Sequence, residues 1–341
     1  MTEFAPETGL ATGSFGFGTY RSRGGASFPG LVMPDGAVFD LSDRYRDTHA
    51  ILDDWDRALD AMADVAARGG TAPYRFAELE ALPPLAHPNL LCAGANYRQH
   101  VAEMMTHNKF NQHNRHPGES DEAFFARNLE EVKDRALNGI PYFWTGLHSS
   151  LVGADADLVK PLIGAQLDWE LEFGAIVARG DRYVRPEDAN DLVAGYVMVN
   201  DIGTVDEFRR IDVRWGFDWI SKHQPSFKPA GPFIVPKQFV KLDEVRIHLA
   251  VNGETKQDWP ISDMIFSVEQ LLSYASERVR LLPGDQLITG SPPGNGALFG
   301  QFLEPGDVID SSITFLGRQR NRVVAEETGG RVPTFGAFKT A

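Results

Sequence analysis

With 341 residues, of which 43% are hydrophobic and 23% charged, the chain has ordinary globular composition and the length for one large domain plus a small one. Its net charge of −14 argues against nucleic acid, whose affinity comes largely from Lys and Arg neutralising phosphates, and against an anionic membrane surface. No run approaches the roughly 20 apolar residues that span a bilayer, the acidic, polar stretch from Met1 to Gly13 lacks the pattern of a signal peptide, and the lone Cys92 allows no internal disulfide. A cytoplasmic protein with a small-molecule partner is expected, and Cys92, inside the apolar run from Asn89 to Gly94, reads as a buried, inert thiol.

Residues 16–42 read as short strands, with the Asp35-Gly36 pair between apolar segments as a hairpin signal. A helix is predicted next, because Ile51, Trp55, Leu59, Met62 and Ala66 fall on one stripe that Gly69-Gly70 ends. Leu82-Pro-Pro-Leu-Ala-His-Pro then looks like a linker, since proline continues neither ladder nor helix. The domain boundary is placed near residue 88, leaving residues 1–88 as a small N-terminal domain. Residues 105–140 begin polar and irregular. A helix follows, with Ser120 as N-cap and Phe125, Leu129, Val132 and Ala136 on one side. The segment reads as a lid or subunit-contact insertion. Its His107, His113 and His116 match no zinc spacing.

The remainder is strand-rich. Trp169-Glu-Leu-Glu-Phe-Gly-Ala-Ile-Val, Gly195–Asp201, Val245–Glu254 with its Asn-Gly turn, Asp285–Gly290 and Asp307–Phe315 are candidate strands. Between them, Ser267 and Gln270 form a capping box, with Leu271, Leu272, Ala275 and Val279 as the buried face. Many short strands, few helices and frequent Gly/Pro turns predict a mixed, β-rich α+β fold built on a roll or barrel rather than βαβ units. With no GxGxxG or Walker loop, nucleotide binding has no support.

Several residues could carry chemistry. Glu170 and Glu172, two apart on a predicted strand, point to one face. Like charges on a largely buried sheet repel and lose hydration, which a divalent cation relieves. Asp201 is a candidate third ligand. Three carboxylates without Cys or His favour Mg²⁺ or Mn²⁺, or Ca²⁺, over Zn²⁺; the plain alternative is a solvent-facing strand side. His100 and Glu103, three apart, would share a helix face and could form a base that activates water, or an ordinary surface pair. Lys222 heads a proline-rich segment and could stabilise an oxyanion or simply lie at the surface. Thr289-Gly-Ser-Pro-Pro-Gly-Asn-Gly offers free N–H groups and hydroxyls, including Ser291, that could hold a carboxylate or merely turn the chain.

In order along the chain, Gly94-x-Asn-Tyr97-x-x-His100-x-x-Glu103, Glu170-x-Glu172, Asn200-Asp201, Lys222 ten residues before Pro232, and Thr289-Gly-Ser-Pro-x-Gly-x-Gly296 resemble the fumarylacetoacetate hydrolase family. The resemblance runs over roughly residues 89–327. It implies a β-roll catalytic domain over 89–330 followed by a tail at 331–341, and a small N-terminal α/β domain. It also implies a metal held by Glu170, Glu172 and Asp201, His100 with Glu103 as the water-activating pair, and Lys222 at an oxyanion. Tyr97, Arg209, Thr289 and Ser291 are the expected substrate contacts. The chemistry implied is hydrolytic C–C cleavage of a 1,3-diketone or acylpyruvate, as in catabolism of aromatic or other cyclic compounds, by a homodimer. Hydratases, decarboxylases and isomerases in the same family keep those outcomes open, as does a non-catalytic ligand-binding role. Thr145 stands where acylpyruvate-cleaving members usually carry lysine, Thr204-Val-Asp206 replaces Ala-Arg-Asp, and Lys222-His-Gln-Pro replaces Lys-Ser-Phe-Asp. Trp144, Phe208, Trp215 and Trp219 then suggest a bulkier, more apolar substrate, with Arg209 or Arg210 as replacement cations.

Overall fold

Gly36 closes the expected hairpin: at φ +79° it takes a conformation that side chains resist, and its N–H reaches the Met33 carbonyl at 2.9 Å. The flanking strands, Ser27–Val32 and Ala37–Asp40, pair antiparallel from Gly30↔Asp40 to Val32↔Val38. The computed structural model, which describes residues 2–107, 112–207 and 221–334, sets them in a five-stranded antiparallel sheet. Its order is Tyr74–Arg75, Ala37–Asp40, Ser27–Val32, Gly16–Ser22, Leu79–Ala81. The apolar stripe of Ile51, Trp55 and Met62 is buried, but the helix carrying it is two helices. Thr48–Asp53 and Trp55–Arg68 are divided at Asp54, whose φ −125° and ψ 43° are not helical. Residues 82–89 form no regular element. Packing nevertheless crosses them: Phe17, Ile51, Trp55 and Met62 share a buried cluster with Cys92, Val197, Ile234 and Ile288.

The central sheet has six strands, in the order Val235–Pro236, Val193–Asn200, Leu171–Val177, Gln286–Ile288, Leu90–Gly94, Tyr142–Gly146. All neighbours are antiparallel except Gln286–Ile288 beside Leu90–Gly94. Leu171–Val177 is buried at every position, as the apolar run from Phe173 to Val177 demands of a strand covered on both faces. A second five-stranded sheet, Glu254–Pro260, Arg246–Val251, Val308–Ile313, Arg318–Ala325 and Leu158–Lys160, alternates buried and open positions on its Val308–Ile313 and Arg318–Ala325 strands. The result is a mixed α+β protein with a curled, β-rich core. The Val268–Arg278 helix carries the predicted capping box, but ends at Val279, which is 44% exposed rather than buried.

Helices Arg98–His107 and Asp121–Asn138 pack against each other beside the sheet edge. Ser120 caps the second, accepting the Ala123 N–H at 3.2 Å. Its buried face is Phe124, Asn128 and Val132: Val132 is inside as expected, whereas Phe124 and Asn128 take the place of Phe125 and Leu129, which are half-buried, as is Ala136. Two contacts explain the exchange. Asn128 Nδ2 donates to Thr106 Oγ1 at 3.0 Å, satisfying a buried amide. Arg115 and Arg127 lie 5.5 and 5.0 Å from the Phe124 ring, a cation–π pairing that favours Phe124 inside.

Candidate active site

Glu172 lies in the Leu171–Val177 strand, whereas Glu170 comes just before it, so the expected strand spacing holds for only one of the two. Long-range hydrogen bonds restore the alignment. The Glu170 N–H donates to Asn200 Oδ1 at 3.0 Å, and the Asp201 N–H donates to the Glu170 carbonyl at 2.8 Å. Because Leu171 pairs with Asn200, the end of one strand and the start of the other bring Glu170, Glu172 and Asp201 together. Each offers a carboxylate oxygen within 4.8 Å of the others, and theirs is the one such acidic group among the described residues.

Burial, then the charges of Asp201 and Glu170, push Glu172 well above the usual carboxylate range. Burial also raises Glu170, against the pull of Lys222. Burial would raise Asp201 too, but the Lys222 and Lys228 ammonium groups outweigh it and hold Asp201 low. A buried set of oxygen donors that destabilise one another fits a hard divalent ion, which would relieve their repulsion and their lost hydration.

Two lysines serve this cluster. Lys222 Nζ lies 2.9 Å from Glu170 Oε2 and 3.1 Å from Asp201 Oδ2, and donates to the Asp201 carbonyl at 2.7 Å. Lys228, missed in the sequence, is fully buried: it pairs with Asp201 Oδ1, donates to the Lys222 carbonyl at 3.0 Å and lies 5.0 Å from the Trp144 ring. Its one local signal was a lysine flanked by Phe227 and Pro229.

The Thr289–Gly296 loop forms a wall that the same region clamps. Glu172 Oε2 accepts the Gly290 N–H at 2.7 Å. Asp168, also missed, accepts the Trp169 and Gly296 N–H groups at 2.8 and 2.6 Å through one oxygen and that of Ala297 at 2.8 Å through the other. Burial, then Glu170, pushes Asp168 up to about 7 despite those three bonds. Gly296 permits the approach, since a Cβ there would lie 2.0 Å from the Gln301 carbonyl. Trp169 Nε1 donates to the Gly294 carbonyl at 3.0 Å, and Gln257 Nε2 to Ser291 Oγ and the Pro292 carbonyl, both at 3.0 Å. The expected contacts Thr289 and Ser291 therefore sit beside the carboxylates with their hydroxyls engaged: Thr289 Oγ1 donates to the Phe173 carbonyl at 2.8 Å, and Ser291 Oγ to the Pro292 carbonyl at 3.1 Å. Tyr97 is sealed in the core near Glu172, and burial raises its phenol. Arg209, Arg210, Phe208, Trp215 and Trp219 lie outside the described residues.

His100 and Glu103 do share the Arg98–His107 helix, but among the described residues no hydrogen bond joins them. Glu103 Oε1 accepts from Gln99 Nε2 at 2.7 Å, and the buried Oε2 has no partner among the described residues. Burial pushes Glu103 up. Burial, then the Lys222 ammonium, pushes His100 down to about 4, so the imidazole is neutral and lies near enough to Lys222 to feel its charge.

A curled β-rich scaffold carrying buried carboxylates, paired lysines and a neutral histidine is that of an enzyme with an acidic site able to take a cation. Residues 89–324 match the fumarylacetoacetate (FAA) hydrolase C-terminal family, and the chain belongs to the fumarylacetoacetate hydrolase family. It is 38% identical over 181 residues to 2,4-didehydro-3-deoxy-L-rhamnonate hydrolase of Sphingomonas sp. (strain SKA58), a match covering 51% of this chain and 62% of that relative, less than two thirds of its length. It is 30% identical over 259 residues to the oxaloacetate tautomerase YisK of Bacillus subtilis (strain 168), covering 74% of this chain and 76% of that one. In structure it is similar to fumarylacetoacetate hydrolase from psychrophilic Exiguobacterium antarcticum, with a TM-score of 0.72 and 25% identity over 92% of this chain and all (100%) of the other.

Proposed function

We propose that the protein is a divalent-metal-dependent enzyme that hydrolyses a C–C bond beside a carbonyl in a 1,3-diketone or acylpyruvate. The observation that carries this reading is the convergence of Glu170, Glu172 and Asp201, the last two buried and the first half-buried, with carboxylate oxygens within 4.8 Å of one another. They would hold Mg²⁺ or Mn²⁺, which when bound acts as a Lewis acid on paired substrate oxygens. The chain's own residues do the rest. His100, kept neutral by lost hydration and the nearby Lys222 ammonium, takes a proton from water as its oxygen bonds to the carbonyl carbon. The C–C bond breaks, its electron pair leaves with the departing carbon, and a proton ends there. Glu103 steadies the imidazolium once it has turned from Gln99, and the Asp121–Asn138 helix of the expected 105–140 insertion acts as part of a lid that completes the site on closing. The Thr289–Gly296 wall orients the substrate, and Lys222 meets its developing negative charge.

A second reading, tautomerisation, draws on Glu103 being held by Gln99 rather than by His100. An unassisted neutral imidazole can move a proton between carbon and oxygen without activating water, and a tautomerase stands among the relatives. Turnover of an acylpyruvate panel and of enol-oxaloacetate, with and without Mg²⁺, separates the two by enol absorbance and product analysis. Metal-dependent release of pyruvate supports hydrolysis. Enol-to-keto conversion without cleavage supports the tautomerase. Equal turnover after chelation defeats the metal-dependent hydrolysis.

A further inference from the structure

The Lys222 side chain raises a problem for its own expected role. An ammonium group has three N–H donors, and here Glu170 Oε2, Asp201 Oδ2 and the Asp201 carbonyl lie within 3.1 Å of it. A lysine bound in that way has no donor directed to a substrate oxygen. The two lysines also differ in freedom. Lys228 is fully enclosed, fixed to Asp201 Oδ1 and to the Lys222 carbonyl, and so anchors the backbone from which Lys222 extends. Lys222 keeps 8% of its surface open. Its long stem is the part of this network able to move.

We propose that Lys222 is a built-in competitor for the cation position: its ammonium holds Glu170 and Asp201 together in the metal-free protein, and a divalent ion displaces it towards the substrate. The inference rests on the reading that those carboxylates are metal ligands. Coulomb's law drives the exchange. A divalent ion brings two positive charges to a cluster that already holds two ammonium groups, and together they exceed the charge of the three carboxylates that would ligate it by one. Lys222 is then repelled from oxygens that no longer need it. The cluster favours an anionic ligand such as a keto acid, which the freed ammonium can contact. Metal would therefore bind before substrate, and the same lysine would serve first as a counter-ion and then as a substrate contact.

The test is Mn²⁺ affinity by calorimetry at constant pH, on wild type, Lys222→Met, Lys222→Arg and Glu172→Gln. Removing a positive charge from between two ligands should tighten Mn²⁺ binding by about tenfold or more in Lys222→Met, while Lys222→Arg stays near wild type and Glu172→Gln loses it. Should metal-free Lys222→Met fail to fold, the protein purified with Mn²⁺ serves instead, and a chelator should strip the ion more slowly than from wild type. Equal or weaker affinity in Lys222→Met, or faster stripping, overturns the competition while leaving the metal site standing. Wild type without Mn²⁺ affinity, or Glu172→Gln with wild-type affinity, overturns the metal assignment itself.

Discussion

The carboxylate floor and the helical layer that carries His100 are built on opposite principles. On the floor, the carboxylates and Gln257 are fixed mainly by partners distant in sequence: Asp168 by Gly296 and Ala297, Glu172 by Gly290, Asp201 by two lysines, and Gln257 by Ser291 and Pro292. In the helical layer, Glu103 is held by its own helix through Gln99, one of its oxygens has no partner among the described residues, and the capping Ser120 is exposed. A rigid floor keeps like charges close, which no soft structure would tolerate. The layer is tied to the core at Arg98 and Gln99, which reach the Ser262 carbonyl and the Asp263 carboxylate, and at Arg135, which reaches the Ala95 carbonyl; between those ties the Glu103 side chain keeps the freedom that a proton-transfer group meeting a substrate needs. The site thus joins a preorganised half to an adjustable one.

The comparison predicts where damage is greatest. Glu172→Gln should remove Mn²⁺ affinity and lower kcat by about a thousandfold or more, because the residue serves both the cluster and the Gly290 N–H; retention of a tenth of wild-type activity would break the idea of a fixed floor. His100→Ala should lower kcat by about 10²–10⁴ with little change in metal affinity, and Glu103→Gln should cost less. Near-wild-type cleavage by the histidine variant would remove it as the base.

Smaller effects sharpen the contrast. Asp168→Ala strands three N–H groups on the floor and should cost about 2–3 kcal/mol of global stability in denaturant melts. Ser120→Ala should cost about 1 kcal/mol, and that loss should appear as faster hydrogen exchange confined to the 121–138 helix. A global loss from Ser120→Ala, or a purely local one from Asp168→Ala, would reverse the assignment of rigid and adjustable halves. The last effect is one of pH. His100 is a base whose folded-state value is pushed down to about 4, so it stays neutral until the pH falls that far. No loss of kcat from this group is expected between about pH 8 and about pH 5.5, where an ordinary imidazole would already be protonated. An acid limb near pH 6.5 that disappears in His100→Ala would show that the imidazole is better solvated than its place in the fold implies.

The amino-acid sequence by itself determined what depends on neighbours along the chain. The Asp35-Gly36 hairpin, the Ser267 capping box, the Ser120 cap and the wholly apolar Phe173–Val177 run each form as their spacing dictates, because turn chemistry, capping and burial period act within a few residues. The convergence of Glu170, Glu172 and Asp201 was legible from residue type and order, although Glu170 reaches its place through Asn200 rather than through strand geometry. Tertiary structure alone decided the rest. Lys228 as the buried partner of Asp201, Asp168 as the clamp on Gly296, and the turn of the 121–138 helix onto Phe124 depend on groups brought together from remote segments. The partner of Glu103 was undecidable for a related reason: Gln99 and His100 both lie within reach on one helix, and only the packing around that helix selects between them. A hydrogen bond across 128 residues leaves no period in the sequence, so the chemistry of the carboxylates could be read before folding and their support could not.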